Sequence, residues 1–338
     1  MEQMEGNFNI DLANRFISDY KLPIPKIFSI GQFAHYLHLC EKDYKTLTKY
    51  RDLINLIDER FEGDSNRFLK EYYDKREEII QTILANPAFL EFNNMDMNRF
   101  AIKDTPKNIT SKNIYNCEDV NKIYLSIDLK KANFQALKYV NPEIVFNKDT
   151  YEDFIGTFTD LNYIKESKYT RQVIFGKCNP KRHITVEKYI INEIRKHIGE
   201  KLFRNIDINL ISFSNDEIVY ECSVSIELFN EEMITYIKSV INDLKNEIKD
   251  FIGVDVSITM FNLKGYNLCN TINNKVCKIF FVKEDCLSDK KEFKCVPEPL
   301  FAIIYKLYNK QDVLSADRIV NYDGLRAELT EDFYIKEI

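Results

Sequence analysis

Apolar residues recur every three or four positions over the first hundred residues, and further on every second position. The stretch from Ser29 to Phe61 predicts one long helix capped by Ser29, with Phe33, Leu37, Tyr44 and Leu47 on its apolar face. A second helix, capped by Ser65, carries Phe68, Tyr72, Ile79 and Ile83. It should stop at Asn86-Pro87, since the residue before proline avoids helical geometry. These stripes read as core. Residues 101–120 are polar and irregular and read as a linker. Beyond it the pattern predicts a short buried strand at 122–129, a helix at 185–198, strands at 208–214 and 218–228 forming a hairpin, a long helix at 230–253, and a strand at 254–261. The long helix opens at Asn230 and lines up Met233, Ile237, Val240, Ile241, Leu244 and Ile248. The order β, α, β-hairpin, α, β predicts an α+β fold with helices on one face of a sheet. The expected organisation is therefore a helical N-terminal domain over 1–105, an α+β domain over 121–265 and a small mixed C-terminal region over 266–338. That last region holds short strands such as 275–282 and a helix opened by Pro297 and Pro299.

Bulk properties narrow the function classes. At 338 residues, 45% hydrophobic and 30% charged, the chain is globular rather than disordered. The net charge of −6 excludes coating nucleic acid by bulk charge, so any such site must be a local patch. Apolar runs stay short of the length that spans a membrane. The first residues lack a signal-like apolar core, so a cytoplasmic, reducing setting with free thiols is expected for the eight cysteines. Cys269, Cys277, Cys286 and Cys295 have seven or eight residues between neighbours, without the short knuckle of structural zinc sites. His35, His38 and Cys40 do not share one helical face and read as structural. His183, in the basic stretch below, could meet a phosphate. Phosphate-loop and Ser-His-Asp signatures are missing.

The informative residues are acids. Asp128 ends the first strand of the α+β region, and Asp216 and Glu217 sit at the hairpin turn. Hairpins usually turn on Asn-Gly or Asp-Gly, and here there is no glycine. Carboxylates delivered by adjacent strands make a hard oxygen site suited to Mg²⁺ or Mn²⁺. A pair of such ions clamps the attacking and leaving oxygens of phosphoryl transfer. Between the two acidic places, residues 165–188 hold seven basic and two acidic side chains. Arg171, Lys177, Lys181 and Arg182 are candidate phosphate ligands there. Asn179-Pro180 opens a helix, whose N-terminus favours anions. Lys130 and Lys131 place further charge beside Asp128. The plainer reading of the same residues is a polar turn and a solvated basic loop.

The order strand-Asp, glycine-containing turn into a helix, acidic hairpin, helix and strand resembles the palm domain of reverse transcriptase-like and viral RNA-dependent polymerases. "SIDLKKANF" (126–134) resembles motif A, "FGKCNPKRHITVEKYIINEI" (175–194) motif B, and "SFSNDEIVYE" (212–221) motif C. Ser214 stands where motif C has its aromatic residue, Glu217 where it has a second Asp, and Phe175 where motif B has Gln. The Asp-Glu pair is also similar to the palm of tRNA-His guanylyltransferases. The resemblance covers about 121–265 and implies a palm-like, ferredoxin-like antiparallel sheet with helices. It implies a two-metal nucleotidyltransferase using nucleoside triphosphates, RNA rather than DNA as nucleic-acid partner, and Mg²⁺ or Mn²⁺. Asp128 and Asp216 would be catalytic ligands of both ions and Glu217 an accessory ligand. In the family the residue five after the motif A Asp faces the sugar; here it is Asn133, whose amide suits a ribose hydroxyl. The N-terminal helices would act as fingers or dock a protein partner. A second alignment, with Asn215 in the first-acid place, implies a catalytically degenerate palm that binds RNA or protein.

Overall fold

The computed structural model describes residues 8–104, 114–198, 208–223, 230–322 and 325–338. Five helices come first: α1 (Ile10–Asp19), α2 (Ile30–Tyr44), α3 (Thr46–Phe61), α4 (Ser65–Ala85) and α5 (Pro87–Asn94). The single helix expected over 29–61 is two. Lys45 takes a left-handed φ of 54° at the break. Local hydrogen bonds hold it there: the Thr46 hydroxyl donates to the Leu37 carbonyl at 2.6 Å, and the Glu41 carboxylate receives the Leu47 N–H at 2.5 Å. The Glu41 carboxylate thereby replaces the helical bond that the Leu47 N–H loses at the kink.

The α+β region follows. It comprises β1 (Lys122–Leu129), α6 (Ala132–Val140), α7 (Tyr151–Gly156), α8 (Asn162–Glu166), α9 (Lys168–Lys177), α10 (Pro180–Ile198), β2 (Ile208–Phe213), β3 (Glu217–Cys222), α11 (Glu231–Ile252) and β4 (Val256–Asn270). Among these strands the sheet order is β2-β3-β1-β4, and every pairing is antiparallel. This is the βαββαβ arrangement, with β1 at the centre. Beyond β4 the sheet continues through β5 (Val276–Asp285) and β6 (Lys291–Lys294). Then come α12 (Phe301–Tyr308), a two-stranded sheet of β7 (Ile319–Tyr322) and β8 (Leu325–Glu328), and β9 (Phe333–Glu337), which pairs with the far half of β4. The fold is thus α+β: a helical N-terminal part, an antiparallel sheet with helices, and small C-terminal strands. The basic stretch expected as a loop is helical. Gly176 lies in the last turn of α9, and the turn into α10 is made at Cys178 and at Asn179, whose φ is 54°.

Alternation in β1 sorts its side chains. Ile123, Leu125, Ile127 and Leu129 join the main core under the helices, whereas Tyr124, Ser126 and Asp128 point to the other face. The main core runs from α1 to α12. α12 returns to the N-terminal helices, where the Tyr305 hydroxyl donates to Asp43 at 2.5 Å and His35 Nε2 lies 2.7 Å from Asp317. Among the described residues no helix is long and apolar enough to cross a membrane.

Candidate active site

The acids meet where β1 ends. Asp128 pairs directly with Glu217 across β1–β3, and with Ser257 across β1–β4. Asp216 occupies the hairpin tip one residue earlier; its carbonyl receives the Leu129 N–H at 2.8 Å, which ties the tip to the end of β1. The turn needs no glycine. Neither Asn215 nor Asp216 takes a positive φ, and Ser214 closes the loop instead. Its N–H donates to the Glu217 carbonyl at 2.8 Å and its hydroxyl accepts the Glu217 N–H at 3.1 Å. Asn215 is exposed, while Asp216 and Glu217 are half-buried. Asp216 is the tip acid whose charge weighs most on Asp128, and Asn215 is the exposed residue of the tip.

Electrostatics reflect this crowding. Burial pushes the Asp128 carboxyl up to about 7, and the charges of Asp216 and Glu217 push in the same direction. Lys168 and Lys283 oppose the rise. Asp216 is also raised, by burial first and then by Glu187. Such like charges at one strand end are the donor set a hard divalent cation would relieve, so the residues fit Mg²⁺ or Mn²⁺. Asp128 and Asp216 are the two that could hold it. The Glu217 carboxylate is turned along the sheet, where it accepts the Ser126 hydroxyl at 2.6 Å. Among the described residues no three acidic, histidine or cysteine side chains gather about one point.

The basic residues divide into two groups. Lys168 opens α9 and reaches both Asp128 and Asp216 electrostatically. Arg171, nearly one turn on, lies with its guanidinium 5.7 Å from the Tyr151 ring centre and feels the Asp128 charge; burial lowers its pKa. Lys131, the left-handed residue before α6, is ion-paired with Glu152. Lys130 is exposed beside it, its N–H donating to the Asp255 carbonyl at 3.0 Å. The second group lies at the end of α9 and the start of α10. Lys177 is at the opposite end of α9 from Lys168, roughly 14 Å along the axis. Asn179 Nδ2 donates to Asn93 at 2.9 Å. Arg182 donates to the Met95 carbonyl and lies 5.4 Å from the Phe92 ring centre. Lys181 is exposed on the first turn of α10. Asn179 and Arg182 thus fasten α10 to α5. His183 is committed within the protein as well. It is 2% exposed, with Nε2 at 3.1 Å from the Phe175 carbonyl and Nδ1 at 3.1 Å from Glu187 Oε1. The same Oε1 receives Asn133 Nδ2 at 3.2 Å, so the Asn133 amide group is oriented with its nitrogen engaged.

One buried network sets where α9 begins. Asp19, fully buried at the end of α1, accepts the hydroxyls of Tyr72 at 2.7 Å, Tyr163 at 2.8 Å and Ser167 at 2.8 Å. Ser167 is in turn the cap of α9, accepting the Thr170 N–H at 2.9 Å. The N-terminal helices thereby fix the residue that precedes Lys168.

Sequence reasoning did not single out Glu187, Ser126 or Lys283. A signal existed for two of them. Ser126 shares a strand face with Asp128, two residues on. Glu187 stands four residues after His183 on one helical face. Lys283 comes from β5 and depends on non-local pairing. No protein-family model and no curated protein matches the chain.

Proposed function

We propose that the chain is a palm-type nucleotidyltransferase that adds ribonucleotides to an RNA strand. The observation that supports this most is the pairing of Asp128 with the acidic hairpin tip at the end of the central strand of a βαββαβ sheet. In the reaction a 3′-hydroxyl oxygen bonds to the α-phosphorus of a nucleoside triphosphate and gives its proton to water, the bond from that phosphorus to the bridging oxygen breaks, and pyrophosphate leaves with the electron pair. Asp128 and Asp216 would hold Mg²⁺ or Mn²⁺, which when bound supplies charge neutralisation at the reacting phosphate. Lys168 and Arg171 take the triphosphate by charge and by forked hydrogen bonds. Asn133, its nitrogen given to Glu187, offers its carbonyl oxygen to a ribose hydroxyl.

A second reading is a palm that binds RNA without turnover. It is favoured by the absence, among the described residues, of three ligand side chains about one point, and by the commitment of Glu217 to Ser126. Incorporation of labelled NTPs and dNTPs on RNA and DNA primer–templates separates the two. Incorporation that favours NTPs and is lost in Asp128→Ala/Asp216→Ala supports catalysis. RNA binding with no incorporation supports the silent palm, and neither sinks both.

A further inference from the structure

The face of the sheet that carries the acids is not bare. Before entering β1 the chain crosses it as the segment Ile114–Asn121. Ile114, 6% exposed, is packed among Tyr124, Val219, Phe261 and Phe281. The Tyr115 ring lies 6.1 Å from the Phe281 ring, with the Lys294 ammonium 5.9 Å from its centre. The Tyr124 hydroxyl donates to the Asp119 carbonyl at 2.8 Å. The Asn121 N–H donates to the Leu263 carbonyl at 2.7 Å, and Asn121 then turns into β1 with a φ of 59°. Val120 passes so close to β4 that a β-carbon on Gly265 would lie 2.5 Å from its Cγ1. The crossing is therefore built into the sheet, with glycine where the passing chain requires it.

The covered residues adjoin the acids. Tyr124 is on the Asp128 face four residues earlier, roughly 13 Å along the strand. Burial first, and then the Glu217 charge, hold the Tyr115 hydroxyl above its ordinary range, so the segment reaches the edge of the acid cluster. Beneath and beside it lie the rings of Tyr124, Phe261 and Phe281, and a cavity of about 230 Å³ lined in part by Phe261 and three lysines, Lys283, Lys290 and Lys291, together with Asp285 and Glu292. Aromatic rings among lysines make a surface that stacks bases and holds a phosphate backbone. Net repulsion from an acidic protein would otherwise disfavour a strand there.

We propose that Ile114–Asn121 is a strap over a single-stranded RNA surface: it covers the aromatic part of the open face, beside the lysine-bearing cavity, and an RNA strand delivering its end to Asp128 and Asp216 displaces it. This rests on the nucleotidyltransferase reading of the acids. Backbone hydrogen exchange of the full chain, with and without a short single-stranded RNA, reads the strap directly. RNA should reduce protection at 114–121. Ile114→Asn and Gly265→Ala, which loosen the strap, should bind the same RNA on the order of tenfold tighter, the scale of burying one aliphatic side chain. RNA binding with unchanged or greater protection at 114–121, or variants that bind no tighter, overturns the strap and leaves the acid site standing. RNA binding by none of the three proteins overturns the strand-binding reading and the strap with it. The exchange measurement on the wild-type chain decides the matter even where a variant does not fold.

Discussion

Replacing Asp128 with Asn should stabilise the protein at alkaline pH while removing a residue of the candidate site. The carboxyl is held at about 7 against an ordinary 3.8, mainly by burial and then by Asp216 and Glu217. Below about pH 4 it is protonated in both the folded and the unfolded chain, and the substitution should change little. Between there and about pH 7 the folded chain keeps a proton that the unfolded chain has released, so wild-type stability falls as pH rises. Above that the full cost is present. A gap of roughly three pH units, at about 1.4 kcal/mol each, sets a ceiling of about 4 kcal/mol. Partial access to solvent lowers the expected gain for Asp128→Asn to about 2–4 kcal/mol at pH 8, several degrees in Tm. Thermal and urea unfolding at pH 4 and pH 8, with chelator present, measures it. A gain of equal size at both pH values would show that charge is not the cause, and no gain at pH 8 would refute the crowding of these carboxylates. Added Mn²⁺ should stabilise the wild type at pH 8 and have little effect on Asp128→Asn.

Other substitutions separate the two groups of basic residues. Arg171→Ala should weaken nucleoside triphosphate binding by about tenfold with little change in Tm, while Lys177→Ala leaves affinity unchanged; calorimetric titration reads both. Arg182→Ala should lower stability by about 1–2 kcal/mol without altering nucleotide affinity, since its guanidinium serves the α5–α10 joint. Asp19→Ala leaves the Tyr163 and Ser167 hydroxyls without their acceptor, Tyr72 with Thr170 alone and Arg15 without its carboxylate, and should cost about 3 kcal/mol, seen as a fall in the urea midpoint.

What could be read from sequence was local. Asp128 was visible because a run of apolar residues ends in it, and the hairpin because two such runs flank Asn215-Asp216. The strand–helix order followed from periods of two and 3.6. The break at Lys45 was hidden, because its capping partners Thr46 and Glu41 also suit a continuous helix. The basic run between the acids looked like a loop for its polarity, yet Thr170, Ile174 and Phe175 are a buried helical face. Its charges could not be sorted from sequence, because the sorting is done by contacts with α5, near ninety positions away. Lys283 and Gly265 acquire meaning only through the register of β4 with its neighbours and the passage of Val120.

In the proposed reaction Asp128 and Asp216 together would hold a divalent cation and the triphosphate it accompanies. Crystals soaked in Mn²⁺ with a non-hydrolysable ribonucleotide triphosphate test it by anomalous scattering. A manganese peak at these two carboxylates is expected, with the triphosphate against Lys168 and Arg171 and the ribose at Asn133. Nucleotide and metal bound elsewhere, or no peak between these acids at millimolar Mn²⁺, would contradict it.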